Sequence, residues 1–234
     1  RPSTSAPISG PNMASISARV ASVSSITSCS NAVAIVASPT ARKALGAIDW
    51  DTLPDVAHFV GAGFEPGPLG VQFDDLLSHD PAPVVDRDPD DVAVLIFTSG
   101  TAGAPRPAML THGNLYTNIR QILASEEQVQ LSSDVVFGLL PMFHIFGLNV
   151  VLGTALQAGA SVLLVERFDP MSALEAIAKH GVTVLPGAPQ MWAAWAAMPG
   201  LPEDSFATVK VATSGAAHLD PHVAETIRSR FGLE

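Results

Sequence analysis

The regular alternation of strand-like and helix-like segments after Asp91 constrains the fold more than any other feature of this sequence. Short apolar runs typical of buried strands alternate with segments whose apolar residues recur at helical spacing. Strands are predicted at residues 92–98, 135–140, 161–165, 182–185 and 208–213, and helices at residues 111–130, 145–157, 170–180, 190–198 and 221–231. This alternation indicates βαβ units, so the predicted fold class is α/β, with parallel-sheet layers covered by helices. Ligands bind such sheets at the carboxyl ends of the strands.

Two further segments are predicted before this region. Residues 32–90 begin with a strand-like apolar run and end in an acidic linker; seven aspartates lie in residues 74–91, where Pro81, Pro83 and Pro89 favour an extended, solvated chain over a metal site. Residues 1–31 contain ten serines and no acidic residue. Such a segment is typical of an organelle transit peptide or of a poorly ordered or truncated end, and its sparse arginines favour the second interpretation. The predicted domains are therefore residues 1–31, 32–90 and 91–234.

Composition excludes several classes of protein. A formal charge of −10 argues against nucleic-acid binding, which needs a basic surface. With 47% hydrophobic and 15% charged residues, wholesale disorder is not expected. No apolar run approaches the ~20 residues that cross a bilayer, so no membrane span is predicted. The single cysteine, Cys29, cannot form an internal disulfide, which favours a cytoplasmic location.

The most informative segment is the loop that follows the strand predicted at residues 92–98. It contains three hydroxyl residues and two glycines close together, namely Thr98, Ser99, Gly100, Thr101 and Gly103. Glycines let backbone N–H groups turn toward a ligand and hydroxyls add donors, which together can cradle phosphate oxygens. The loop matches neither the GxxxxGK[ST] pattern of Walker loops nor the GxSxG pattern of hydrolases. On the residues alone, a phosphate-binding loop and a plain turn both remain open.

Together with later segments, this loop resembles the signature loop of the adenylate-forming (AMP-binding) enzymes, in their acyl-CoA and aryl-CoA ligase branch. The family loop reads approximately Thr/Ser-Ser-Gly-Thr-Thr-Gly-x-Pro-Lys-Gly. The resemblance continues, in the family's order and spacing, at residues 140–147, 166–169, 186–189 and 214–217. It covers residues 91–234, and more loosely 31–90. It implies a central fragment of the family's large N-terminal domain, with the C-terminal domain absent.

The resemblance implies that ATP activates a fatty or aryl carboxylic acid to an acyl-adenylate, which then forms a thioester with CoA or another carrier thiol. The implied cofactors are ATP, Mg²⁺ and CoA. The residues that would bind the ATP phosphates are Thr98, Ser99, Gly100, Thr101, Gly103 and Arg106. His144 would be the catalytic residue beside the acyl carboxylate, and Arg167 would reach the CoA phosphates. The adenine and acyl pocket would be lined by Phe146, Gly215, Ala216 and Ala217. No residue is assigned to a metal.

Each of these roles has a purely structural alternative. His144 could cap a strand end, and Arg167 could be a solvated cation in a turn. The small residues 215–217 could simply permit close packing.

Several residues depart from the family pattern. Arg106 stands in place of the family's lysine, Pro107 in place of a glycine, and Ala102 in place of a hydroxyl residue. His218 stands where a proline is common, and the family's next motif, with its Mg²⁺-binding glutamate, is expected just beyond Glu234. The isolated chain is therefore expected to be incomplete for turnover. The alternative hypothesis is a non-catalytic remnant or nucleotide-binding module of the same fold.

Overall fold

The computed structural model of the protein describes residues 34–41, 45, 51, 56–66, 70–98, 106–125 and 131–233. The chain divides into two compact units, Arg1–Met109 and Leu110–Glu234. Residues 1–31, for which the sequence predicts a separate N-terminal segment, lie outside the described residues. In the part of the chain that is described, no helix is both long and apolar enough to cross a membrane.

A small parallel sheet forms the start of the first unit. Its strands β1 (Ala34–Ala37), β2 (His58–Gly61) and β3 (Val71–Gln72) pair in that order. A 3₁₀ turn (Pro39–Ala41) follows β1, and helix α1 (Phe73–Leu76) follows β3 directly. The sequence predicted only loops where β2 and β3 lie, because β2 runs into the Gly/Pro-rich residues 61–70 and the two residues of β3 are too few to show a pattern.

The rest of the first unit leads to the glycine-rich loop. Residues 77–91 are all exposed, whereas Asp74 and Asp75, which the sequence placed in the same extended linker, lie in helix α1. Strand β4 (Val92–Thr98) confirms the predicted strand and pairs with β5 (Arg106–Thr111), which the sequence had assigned to a loop.

The second unit is built on a parallel sheet of four strands, β6 (Val135–Gly138), β7 (Ser161–Leu164), β8 (Val184–Gly187) and β9 (Val211–Ser214), in the spatial order β7-β6-β8-β9. The chain crosses the sheet one way from β6 to β7 and the other way from β7 to β8. Right-handed crossovers therefore place the intervening helices on opposite faces. This arrangement confirms the predicted α/β class with parallel strands covered by helices.

The helices of the second unit follow the order of the strands. Helix α2 (His112–Leu123) precedes β6; a π-helix (Phe146–Gly153) and α3 (Thr154–Ala158) connect β6 to β7. The remaining helices are α4 (Pro170–His180), α5 (Pro189–Ala197) and α6 (Pro221–Phe231). The largely apolar helix predicted over residues 145–157 is present, but its first part is a π-helix rather than an α-helix. The helix predicted over residues 111–130 ends at Leu123, and residues 126–130 lie outside the described residues.

Helices α4 and α6 have the bounds that the sequence predicted. Each begins after an aspartate whose side chain accepts a hydrogen bond from a backbone N–H of the first turn, Asp169 from Ser172 and Asp220 from His222, both at 2.8 Å. A proline occupies the first position of each helix, and a left-handed glycine, Gly181 or Gly232, follows its last residue.

An aromatic cluster fills the core on the side of α5. Trp195 makes edge-to-face contacts with Phe168 and Phe206, each at 5.2 Å between ring centroids, and with Trp192 at 5.5 Å. Its indole Nε1–H donates to the carbonyl oxygen of Pro170 at 3.0 Å. Both tryptophans are core residues, as the sequence predicted.

The amino ends of three strands are joined by a buried carboxylate. Asp134, which precedes β6, accepts hydrogen bonds from Thr183 Oγ1 at 2.9 Å, from Lys210 Nζ at 3.2 Å and from the Leu131 N–H at 2.7 Å. Thr183 precedes β8 and Lys210 precedes β9. Burial by itself raises the pKa of the Asp134 carboxyl, but these hydrogen bonds and the Lys210 charge outweigh it and hold the pKa below its ordinary value.

Candidate functional site

Most of the predicted site residues of the second unit lie in loops that leave the carboxyl ends of its strands. The loop after β6 leads to His144, the loop after β7 contains Arg167, and the loop after β9 contains residues 215–217. This is the edge of a parallel sheet at which ligands bind. The buried Asp134 cluster lies at the opposite ends of the same strands.

His144 lies two residues before the first residue of the π-helix, Phe146, and its side chain is exposed. Its Nδ1 accepts a hydrogen bond from the backbone N–H of Phe146 at 3.2 Å, and its own carbonyl accepts from the Leu148 N–H at 3.0 Å. An Nδ1 that accepts leaves the proton of the neutral imidazole on Nε2. The ring therefore caps the helix start with one nitrogen, and its other nitrogen carries a donor.

Phe146 and Gly215, predicted from two motifs far apart in the sequence, are in contact. A Cβ added to Gly215 would lie 2.6 Å from Phe146 Cε1 and 2.8 Å from Cζ, so the ring occupies the space of the missing side chain. Gly215 is itself held in place, because its N–H donates to the carbonyl oxygen of Gly187 at 3.1 Å. The structure thus brings one wall of the predicted pocket together.

Ala216 adopts a left-handed backbone conformation, with φ of 68°, the only positive φ among the described non-glycine residues. This conformation costs an alanine about 1–2 kcal/mol. Ala216 and Ala217 are both exposed at the start of the loop after β9. Backbone strain of this kind is concentrated at ligand-binding sites.

Gly187 ends strand β8 at the same edge of the sheet. A Cβ at this position would lie 2.8 Å from Trp192 Nε1, so glycine is required by the close approach of the indole. Gly187 lies in the family-like segment 186–189, but the sequence predicted no role for it, because the packing of an indole against a strand end leaves no local pattern.

Two residues around the π-helix were also missed. A Cβ on Gly147 would overlap the carbonyl oxygen of Pro141 and lie 2.6 Å from that of Leu140, so only glycine permits this close approach. Asn149 is buried, and its side chain donates to the carbonyl oxygen of Leu115 at 3.3 Å and to Asn118 Oδ1 at 2.8 Å, both on α2. A single amide in an otherwise apolar helical segment is the signal that could have identified Asn149.

Arg167 lies in the bend between β7 and α4 and is exposed. It makes no ion pair with any residue in the described part of the chain. Its position suits either a solvated cation or a contact with an external anion.

The predicted phosphate loop is described only at its two ends. Ser99, Gly100, Thr101 and Gly103 lie outside the described residues, and Thr98 ends β4. Arg106 begins β5 with an exposed side chain, and Pro107 follows it within the strand. The assignment of these residues to phosphate binding stays a prediction.

Among the described residues, no group of three or more His, Cys, Asp or Glu side chains is arranged to hold a metal ion.

The model of the AMP-binding enzyme family matches residues 14–234 of this chain. The match begins closer to the N-terminus than the sequence motifs indicated, since those extend the resemblance only to residue 31.

Proteins of known activity resemble the chain over much of its length. It is 38% identical over 165 residues to 4-coumarate–CoA ligase 1 of Solanum tuberosum, which covers 69% of this chain and 30% of that protein. It is 36% identical over 146 residues to the long-chain-fatty-acid–CoA ligase of Bacillus subtilis, covering 62% of this chain and 26% of that protein. The crystal structure of ATP-bound MatB from Rhodopseudomonas palustris has a TM-score of 0.74 and 26% identity, covering 90% of this chain and 40% of that one. The chain thus spans less than half the length of each of these three proteins.

Proposed function

The chain belongs to the AMP-binding enzyme family, and from this premise we propose that it forms the nucleotide- and acid-binding part of an acid–thiol ligase. The substrates are ATP, a carboxylic acid and the thiol of CoA or a carrier. The proposal is supported by the similarity to ligases that act on aryl and fatty acids and by the position of the site at the carboxyl edge of a parallel sheet.

Two group transfers make up the proposed reaction. A carboxylate oxygen of the acid attacks the α-phosphorus of ATP, and the bond from this phosphorus to the oxygen shared with the β-phosphate breaks. Pyrophosphate departs with that oxygen, and the product is an acyl-adenylate. The thiolate of CoA then attacks the acyl carbon, and AMP leaves with the electron pair of the acyl–oxygen bond. The first step moves a phosphoryl centre, so positioning and neutralisation of charge supply most of the catalysis.

We propose that the glycine- and hydroxyl-rich loop binds the β- and γ-phosphates. Its members in this role are Thr98, Ser99, Gly100, Thr101, Gly103 and Arg106. Arg106 supplies positive charge with a planar set of donors, where the family's lysine would supply a point charge.

His144 is proposed to hold the acid carboxylate. Its Nδ1 accepts a hydrogen bond from the Phe146 N–H, so in the neutral ring Nε2–H is the donor that remains for a ligand. A donor beside the carboxylate orients one oxygen toward the α-phosphorus in the first step. In the second step it can stabilise the negative charge that develops on the carbonyl oxygen as the thiolate adds to the acyl carbon.

Phe146, Gly215, Ala216 and Ala217 are proposed to line the acyl group and adenine, and Arg167 to bind a phosphate of CoA. The contact of the Phe146 ring with Gly215 is the single observation that supports this pocket most strongly, because it joins two predicted pocket residues from separate loops. Mg²⁺ would neutralise phosphate charge as a complex with ATP. We place the activity in the cytoplasm, which the single cysteine supports.

The test measures ATP binding and acyl-adenylate formation by the full-length gene product, with aryl and fatty acids as substrates. Calorimetry should show binding of Mg·ATP that Ser99→Ala weakens by roughly tenfold or more, as expected on losing a donor to a charged group. Mass spectrometry should detect an acyl-adenylate with at least one acid. Ser99-dependent ATP binding without any adenylate would favour the nucleotide-binding module. Absence of ATP binding would contradict the proposed ligase and leave only a non-catalytic remnant of the fold.

A further inference from the structure

We infer that Asn149 is a positioning residue for the acyl end of the site, acting through its hydrogen bonds to helix α2. The inference rests on the proposed function, which identifies the ligand of this site as a carboxylic acid. Asn149 is 4% exposed, and its Nδ2 donates to Leu115 O at 3.3 Å and to Asn118 Oδ1 at 2.8 Å. A buried amide that lost these partners would be unstable, so they fix one point of the π-helix against α2.

The π-helical turn explains why this point matters for Phe146. The N–H of Thr154, which ends the segment, donates to the carbonyl oxygen of Asn149, five residues earlier. In an α-helix, residues three apart such as Phe146 and Asn149 lie on the same face. The wider π turn separates them around the axis, so Phe146 contacts Gly215 while Asn149 contacts α2.

Helix α2 is a suitable anchor for this purpose. Its first turn is capped reciprocally: Thr111 Oγ1 accepts from the Asn114 N–H, and Asn114 Oδ1 accepts from the Thr111 N–H, both at 3.1 Å. At the other end of the π-helix, Gly153 allows Ile119 of α2 to approach, since a Cβ there would lie 2.8 Å from Ile119 Cδ1. Helix α2 therefore contacts the π-helix at two levels.

These contacts select one helical register over another. Since π-helical turns are rare, a specific contact must favour them over the α register, and such turns are frequent at functional sites. Asn149 supplies the polar contact, and its loss should let the segment relax toward an α-helix. That change would rotate the Phe146 ring away from Gly215 and shift His144, which is bonded to the Phe146 N–H.

The test compares Asn149→Leu with Asn118→Asp in the full-length gene product. Asn149→Leu removes the side-chain donor and keeps a similar volume. In Asn118→Asp the Asn149 amide is retained and can still donate, now to a carboxylate oxygen. Asn149→Leu should lower kcat/KM for the acid by roughly ten- to a hundredfold, as for other displaced binding groups. Its KM for ATP should stay within about twofold of the parent value, because the residues proposed to bind the ATP phosphates lie in the loop at 98–106 and not on the π-helix. Asn118→Asp should keep the parent kinetics.

A second readout does not depend on turnover. Hydrogen exchange of residues 146–154 should be faster in Asn149→Leu than in Asn118→Asp, with α5 unchanged in both. If Asn149→Leu does not fold, Asn149→Ser, too short to reach α2, should give the same pattern.

An unchanged kcat/KM for the acid, an equal rise of the KM values for acid and ATP, or equal exchange in the two variants would overturn the inference. A parent protein that forms no acyl-adenylate would instead contradict the proposed function, and the exchange comparison would then decide the role of Asn149.

Discussion

At the scale of single residues, the candidate site depends on positions where a side chain is absent. The Phe146 ring fills the space beside Gly215, and the Trp192 indole fills the space beside Gly187. A methyl group at Gly215 or Gly187 would overlap an aromatic ring and would not point into solvent. These glycines therefore fix the shape of the strand ends from which the loops leave.

We predict that Gly215→Ala lowers kcat/KM for the acid by about tenfold, because the new Cβ would lie 2.6 Å from the Phe146 ring and displace it. The measurement is steady-state adenylation kinetics with the acid varied at saturating ATP. Phe146→Leu should make room for the methyl group, so the double variant should be better than the product of the two single effects by about 0.5–3 kcal/mol of coupling. Strictly additive effects would show that the two residues do not interact in the working enzyme.

Ala216→Gly should stabilise the protein by about 1 kcal/mol, since glycine adopts a positive φ without the steric cost that alanine pays. Urea unfolding of the parent and the variant provides the comparison. Ala217→Gly is the matched control, because Ala217 is not in the left-handed region and glycine there only adds freedom to the unfolded chain. A loss of stability in both variants would refute the strain at Ala216.

At the scale of elements, the sequence predicted the helices that have strong local signals at both ends. Helices α4 and α6 each combine an aspartate cap, a first-position proline and a following glycine, so local chemistry alone defines their bounds. The π-helix lacks such signals, and its apolar residues fit an α-helix equally well. Strand β5 was missed because Arg106 and Pro107 look like loop residues. It forms by pairing with β4, and this pairing leaves no pattern within β5 itself.

Gly147→Ala should destabilise the π-helix strongly, because the new methyl would overlap the carbonyl oxygen of Pro141, which is backbone and cannot rotate away. The expected loss is about 1–3 kcal/mol of unfolding free energy, the range for overpacked sites. Gly153→Ala is the matched control on the same helix, since its methyl would meet side-chain atoms and no backbone atom, namely the flexible end of Ile119 at 2.8 Å and Asn149 Oδ1 at 3.3 Å. Denaturant unfolding should rank Gly147→Ala as the more damaging change; the reverse order would contradict this packing.

Asp134→Asn should cost about 1–3 kcal/mol at neutral pH, because the carboxylate is buried and accepts three hydrogen bonds. The folded pKa of Asp134 is lowered, so its contribution is complete above the unfolded value of about 4 and is lost as pH falls through the folded pKa. The stability difference between parent and variant should therefore be constant from about pH 7 to 5 and shrink below about pH 4.

Glu225→Gln is the control for this pH dependence, because the Glu225–Arg228 pair is exposed on α6. It should change stability by less than about 1 kcal/mol at any pH. A difference for Asp134→Asn that grows on acidification would contradict the lowered pKa.

At the scale of the whole molecule, the second unit separates its stabilising contacts from its candidate chemistry. The Asp134 cluster joins the amino ends of three strands, whereas His144, Arg167 and residues 215–217 leave the carboxyl ends. The sequence predicted this edge because parallel strands direct their loops to one side. It could not predict that the Phe146 ring contacts Gly215, or that Asn149 reaches α2, because both depend on how distant segments pack.

Acid-dependent exchange of radioactive pyrophosphate into ATP by the full-length gene product tests the central claim most directly. The exchange requires the carboxylate to attack the α-phosphorus reversibly and needs no CoA. We predict exchange that depends on an aryl or fatty acid and falls sharply when Ser99 is replaced by alanine. No exchange with any acid of either class, from a folded protein that binds ATP, would contradict the assignment as an adenylate-forming enzyme.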